Sequence, residues 1–199
     1  YHKNEYDLVG VATGVIEKDK IIDGSSVRSG DIAVGVHSSG LHTNGYSLAR
    51  KLIFDSLGLS TSDLLPGYDI SVADCLLAPH TNYSTLIQVL NKKDIKIKSI
   101  AHITGGGLID NVPRVLPGSL SLDVNINSWP KMPVFEFFTN SLDIKKRDLY
   151  QTFNMGVGLV LIIGAAEKEG LQAVVGAKNC SEIGVVIKDD SNTVYLNEK

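Results

Sequence analysis

The chain has 199 residues, 43% of them hydrophobic and 21% charged, and its 19 Lys and Arg against 22 Asp and Glu leave a net charge of −3. This is the composition of a globular chain long enough to bury a substantial core, without the basic excess that binds nucleic acid or an anionic membrane surface. Cys75 and Cys180 stand apart with no CxxC spacing, no His, Cys or carboxylate set has metal-ligand spacing, and no apolar run approaches the ~20 residues of a membrane span. The resulting expectations are a reducing cytoplasm, no nucleic-acid partner, no membrane and no resident metal site.

In chain order, residues 7–17 read as a strand of Val and small residues, in which Gly10 and Gly14 permit close backbone approach. A polar, turn-rich stretch leads to the apolar run 32–36, typical of a buried strand. Leu48, Leu52 and Ile53 share one face of a helix over 46–57, and Gly58 supplies the left-handed residue that commonly ends a helix. After Pro79, the residues Tyr83, Leu86, Ile87 and Leu90 recur at i, i+3, i+4 and i+7, which predicts a second helix. Residues 95–103 form the next strand, followed by a glycine triplet, a short helix toward Asn111, and a break at Pro113 and Pro117.

Leu120, Leu122, Val124 and Ile126 alternate with polar residues, so this strand is expected to have one wetter face. Pro133 fits the first turn of a helix carrying Val134, Phe135, Phe137 and Phe138, and the wholly apolar 157–163 fits a central strand. A helical stretch with Leu171, Val174 and Val175 then precedes strands over 182–188 and 193–196. With no repeat or long linker, these elements predict an α+β fold, a mixed sheet covered by helices, with the opening strand belonging elsewhere.

Three glycine-bearing loops could carry chemistry. Ser38-Ser39-Gly40-Leu41-His42-Thr43-Asn44-Gly45 lies between a buried strand and a helix, where backbone N–H groups, hydroxyls and the helix N-terminus can hold an anion such as phosphate. It is neither a Walker loop nor a GxGxxG fingerprint, and Thr43 or Asn44 could equally serve only as a helix cap. Thr104-Gly105-Gly106-Gly107, preceded by His102, again joins strand to helix, and three glycines point to unusual dihedrals or close ligand approach, with a tight turn as the plain alternative. Asn154-Met155-Gly156-Val157-Gly158 opens the apolar strand, where packing and turn formation explain the residues as well as a ligand does. His42 and His102 could carry protons near neutral pH or donate to phosphate. Lys145-Lys146-Arg147 reads as a solvated helix face.

Taken together, Ser38 through Leu48, Ala101-His102-Ile103-Thr104-Gly105-Gly106-Gly107 with Asn111-Val112-Pro113-Arg114, and Tyr150-Gln151-Thr152-Phe153-Asn154-Met155-Gly156-Val157-Gly158 resemble the phosphoribosylformylglycinamidine cyclo-ligase (aminoimidazole ribonucleotide synthetase) family of purine biosynthesis. Tyr6-Asp7-Leu8-Val9-Gly10, Gly14 through Lys18 and Ile22-Asp23-Gly24 extend the resemblance along nearly the whole chain. Met155 departs from it, standing where the family pattern has a small residue such as Cys.

The resemblance implies a C-terminal domain at 21–199, with 1–20 the terminal strand and linker of an N-terminal domain that is otherwise missing. It implies that this missing domain binds most of the ATP and Mg and helps form a homodimer, and that the fragment is incomplete for catalysis by itself. The implied activity is that of a cytoplasmic, ATP-dependent ligase that closes the imidazole ring of formylglycinamidine ribonucleotide. On this reading Ser38, Ser39, Gly40, Thr43, Asn44, Gly45, His102, Thr104, Gly105, Gly106 and Gly107 hold the ribonucleotide or phosphate, Asn154 and Gly156 assist, and His42 is the catalytic candidate. Formylglycinamidine ribonucleotide synthetase, selenophosphate synthetase and thiamine-monophosphate kinase share the two-domain plan. A non-catalytic phosphate- or nucleotide-binding module is the alternative from another class.

Overall fold

A computed structural model of the chain describes residues 6, 9–141 and 144–198. Six strands form one mixed sheet in the order β2-β4-β1-β5-β3-β6. They are β1 (Ile32–His37), β2 (Ile97–His102), β3 (Leu120–Asn125), β4 (Val157–Ile163), β5 (Cys180–Lys188) and β6 (Val194–Asn197). All pairings are antiparallel except β3 with β6. β4, in which every residue is buried, lies between β1 and β2, as its unbroken apolar sequence requires of a strand covered on both faces.

The alternation of side chains along β4 feeds two cores. Leu159, Leu161 and Ile163 join Val34, Leu90 of α3 (Ser84–Lys92) and Leu171 of α7 (Lys168–Val175). Val160 and Ile162 join the other core with Leu52, Ile53, Val72, Leu108, Phe138 and Leu149. Those side chains are supplied by α1 (Tyr46–Arg50) and its continuation, α2 (Val72–Leu76), α4 (Gly107–Asn111), α5 (Pro133–Ser141) and α6 (Lys146–Thr152). The expected α+β sheet with helices on it is thus the observed architecture.

Three expectations change in detail. The helix predicted over 46–57 is α-helical only to Arg50 and continues as a wider π-type turn over Lys51–Ser56, with Leu57 N–H reaching Leu52 O at 3.0 Å; the adjacent Leu52 and Ile53 are both buried there. β3 has the expected wetter face at Asp123 and Asn125, which are partly exposed, but not at Ser121, which is fully buried and whose hydroxyl accepts from Thr193 N–H (2.9 Å) in the turn that leads into β6. The strand predicted over 7–17 lies partly outside the described residues, and residues 9–17 join no strand, leaving Val9, Val11, Val15 and Ile16 exposed.

Candidate functional site

Antiparallel pairing brings the C-terminal ends of β1 and β2 beside the N-terminal end of β4, with His37 opposite Val157 and His102 opposite Leu159. The three glycine loops, which start at residues 38, 104 and 154 and so are far apart in sequence, therefore emerge at one end of the sheet. A register irregularity at Val36/His37 turns the first loop across the third, so that Ser38 N–H donates to Gly156 O at 2.9 Å.

Asn154 ties these two loops together. Its side chain is 2% exposed; Nδ2 donates to Gly40 O (2.8 Å), while Oδ1 accepts from Gly156 N–H (2.8 Å) and from the Ser38 hydroxyl (3.1 Å). Three of its four hydrogen-bonding positions are thus satisfied internally. Met155 occupies the left-handed region (φ 51°), and its carbonyl accepts from Trp129 Nε1 at 2.9 Å.

Within the first loop, His42 and Thr43 are consecutive non-glycine residues with positive φ, 55° and 65°. Such backbone costs of order 1–3 kcal/mol per residue and persists only where surroundings enforce it. The enforcing contacts are plain. His42 is 1% exposed, and its Nε2 accepts from Ser39 N–H (3.0 Å) and Thr81 N–H (3.3 Å). Its ring and the Tyr83 hydroxyl fill the space over Gly158, where an added Cβ would lie 2.8 Å and 2.1 Å from them. Tyr83 Oη donates to His37 O at 2.9 Å, and burial pushes its pKa up to about 12.

Since Nε2 of His42 is an acceptor, the proton resides on Nδ1, which is buried with no described partner. Burial, followed by the neighbouring His80 and His102, lowers the pKa of His42 to about 4. The ring is therefore neutral near pH 7, and its Nε2 holds the backbone of Ser39 and Thr81. The capping alternative also falls: Gly45, in the left-handed region, is the N-cap of α1 and makes no side-chain cap bond, while Asn44 Nδ2 turns back to His42 O (2.9 Å).

The glycine triplet is organised by Asn111, a residue that spacing alone did not mark for a role. Its buried Nδ2 faces the carbonyls of Gly107 (2.8 Å), Gly105 (3.2 Å) and Thr104 (3.4 Å), and its Oδ1 accepts from the Thr104 hydroxyl (3.2 Å). Three carbonyls gathered on one amide leave the N–H side of the loop facing away. Among the described residues, neither Gly105 nor Gly106 N–H has a partner. Gly107 takes φ +55°, and a Cβ there would lie 2.0 Å from Tyr150 O, so only glycine lets α4 pack against α6. Both α1 and α4 have only 5 residues, so the loop's free amides, rather than a helix macrodipole, are what this face offers an anion.

The predicted residues thus separate by depth. Thr43, His102 and Gly105 are exposed; Ser38, Ser39, Asn44, Gly45, Thr104 and Gly106 are partly so; Gly40, His42, Gly107, Asn154 and Gly156 are buried. Asn44 links the first two loops, its Oδ1 lying 3.6 Å from the position of a Cβ on Gly105. A cavity of about 450 Å³ opens beside them, lined by His80, Thr81, Asn82, Tyr83, Ser84, His102 and Leu159. Of the predicted site residues only His102 lines it.

Sheet order, helical cover and amide-bearing loops at one sheet end define an α+β domain with an anion-binding character at that end. The model for "AIR synthase related protein, C-terminal domain" matches residues 28–197, and the chain belongs to that family. A protein of Geotalea uraniireducens named phosphoribosylformylglycinamidine cyclo-ligase is 45% identical over 188 residues, 94% of this chain and 53% of that relative. The same-named protein of Geobacter metallireducens is 49% identical over 164 residues, 82% of this chain and 47% of its own length. The chain spans about half the length of the curated relatives it matches. Among solved structures, hydrogenase maturation protein HypE aligns with TM-score 0.61 at 18% identity, over 91% of this chain and 53% of that one. Thiamine monophosphate kinase of Aquifex aeolicus aligns with TM-score 0.57 at 13% identity, over 92% of this chain and 55% of that one; at these identities the likeness concerns the fold.

Among the described residues no group of three or more His, Cys, Asp or Glu could hold a metal ion, and no helix is long and apolar enough to cross a membrane.

Proposed function

We propose that this chain forms the ribonucleotide-binding part of an ATP-dependent cyclo-ligase that converts formylglycinamidine ribonucleotide to aminoimidazole ribonucleotide in the cytoplasm. The observation that carries the reading is the Asn111-braced triplet, whose free Gly105 and Gly106 amides suit a phosphate, in a chain 45% identical over most of its length to a protein of that name. In the reaction, ATP phosphorylates the formyl oxygen, and an internal nitrogen then attacks that carbon and expels phosphate, closing the imidazole ring. Phosphorylation turns a poor oxygen leaving group into a good one, and fixed N–H donors favour such a step by positioning and by meeting phosphoryl charge without reorganisation.

On this reading Ser39, Thr43, Asn44, Thr104 and His102 offer further polar contacts, while His42, Asn111 and Asn154 hold the loops in shape. No metal-dependent step is assigned to these residues, because their donor set does not fit one; Mg and most of the ATP belong with the remainder of a longer, homodimeric enzyme. Residues 1–20 belong with that remainder too, a placement supported by the exposed Val9, Val11 and Val15.

The test is ring closure by the intact protein given formylglycinamidine ribonucleotide and ATP, with product, ADP and phosphate each measured. Replacing Asn111 by Ala frees three carbonyls, and the ribonucleotide KM is expected to rise about tenfold, the effect of losing roughly 1–1.5 kcal/mol of positioning. Absence of ring closure, or a folded Asn111→Ala protein with unaltered KM and kcat, would count against the reading.

A further inference from the structure

His80 takes no part in the reading above, yet its setting is specific. Its Nε2 lies 3.2 Å from Nε2 of His102, with ring centroids 5.3 Å apart. Both rings are exposed and line the 450 Å³ cavity. The other side of His80 stacks on buried His42 at 4.1 Å and 13°, which fixes its plane. Its Nδ1 stands 3.4 Å from Thr43 Oγ1, whose own proton goes to His42 O.

Proton bookkeeping follows from these contacts. Thr43 Oγ1 can only accept from His80 Nδ1–H, so His80 Nε2 carries a lone pair and His102 Nε2–H donates to it. A further proton can then enter at His102 Nδ1 without breaking the contact. A second would set two N–H groups against each other across 3.2 Å. The pair is therefore built to take up one proton.

The groups facing the pair are Thr43 and neutral His42 from the first loop, Thr81, Asn82, Tyr83 and Ser84 ahead of and within α3, and Leu159 of β4. None is a carboxylate, and neither histidine takes part in the ion pairs Lys20–Glu17, Lys98–Asp31, Lys146–Glu198 and Lys168–Glu182 found among the described residues. The counter-charge for a protonated pair is therefore absent from its described surroundings and has to arrive with a ligand. Thr43, beside His80, and Asn44, beside Gly105, are consecutive, which places the pair near the free amides of the glycine triplet.

We propose that His80 and His102 form a proton-linked anion subsite that receives a phosphate group of the bound ligand together with one proton. The proposal rests on the reading of this sheet end as a phosphate-binding face. The phosphate comes either from the ribonucleotide or from ATP, and binding of each tells them apart.

The experiment is calorimetry on the intact protein in chelated buffers of differing ionisation enthalpy near neutral pH, with ribose 5-phosphate in one arm and ATP in the other. A phosphate monoester titrates near pH ~6 by itself; the variants His80→Phe, which keeps a ring on His42, and His102→Asn control for this. The wild type is expected to take up close to one more proton per bound ligand than either variant, and its affinity to fall up to about tenfold per pH unit above neutrality. Extra uptake with only one probe supports the subsite and identifies the source of the phosphate. Equal uptake in wild type and variants, with binding intact, overturns the subsite and leaves the phosphate face standing. Failure of the wild type to bind either probe overturns both. If one variant does not fold, the other decides.

Discussion

At the scale of the residue, His42 couples the site to pH. Burial, then His80 and His102, lower its pKa from 6.5 to about 4. The folded value lies below the unfolded one, so on acidification the unfolded chain binds the proton first. The contribution of His42 is complete above about pH 6.5 and is lost progressively as pH falls toward 4. His37 and His102, also lowered chiefly by burial, act in the same direction. In urea unfolding at about pH 7.5 and pH 4.5, the wild type is expected to lose about 2 kcal/mol more on acidification than His42→Gln, which retains an acceptor without titrating. Equal losses in the two proteins would show that His42 does not bear the proton linkage. Asn111 and Asn154 show a different residue-scale lesson: each bonds several backbone groups while buried, so each shapes a loop from within.

Among the elements, the loops are set by backbone contacts as much as by side chains. α4 reaches α6 only because position 107 has no Cβ; Gly107→Ala meets Tyr150 O at 2.0 Å and Phe153 O at 2.7 Å, and carbonyls of a packed turn cannot rotate away as a flexible side chain could. A loss of about 3 kcal/mol or more is expected in chemical denaturation, or failure to fold. Gly164→Ala is the contrasting case, with ordinary φ (−67°) and nothing within 4 Å of the new Cβ; it should stay within about 0.5 kcal/mol of wild type. Equal melting temperatures for the two variants would refute this account of the α4–α6 contact.

Element-scale legibility was uneven for the same reason. α3 carries a helical period, α5 a proline-led aromatic cluster and β4 an unbroken apolar run, and all three were readable. α2 was not foreseen, although its Ser71-Val72-Ala73-Asp74 start holds a cap in which Ser71 Oγ accepts from Asp74 N–H at 3.0 Å. α6 was marked only by its solvated face at Lys145-Lys146-Arg147: its 7 residues bury only Leu149 and Tyr150, too few to register as a period.

For the whole molecule, β4 is where the two cores meet, since alternate side chains enter opposite faces. Ile162 is fully buried and opposes Ala33 of β1 and Ser99 of β2. Ile162→Ala should cost about 2–5 kcal/mol by transfer and cavity formation. Guanidinium titration followed by both fluorescence and circular dichroism checks it, and a loss below about 1 kcal/mol would mean that the sheet centre relaxes to fill the void.

The sequence by itself determined the fold class, most strands and helices, and the three glycine loops, because hydrophobic period, proline and glycine act on the chain locally. Its resemblance to the cyclo-ligases is matched by membership of the AIR synthase related family over residues 28–197. Only the tertiary structure decided which loops share one sheet end, since strand order depends on pairings between residues far apart in the chain. It also decided which polar residues are exposed and which are buried against the protein. His42 and Asn154 are buried, with His42 Nε2 and Asn154 Oδ1 each holding loop backbone, whereas Gly105, Gly106, His80 and His102 lie at the surface.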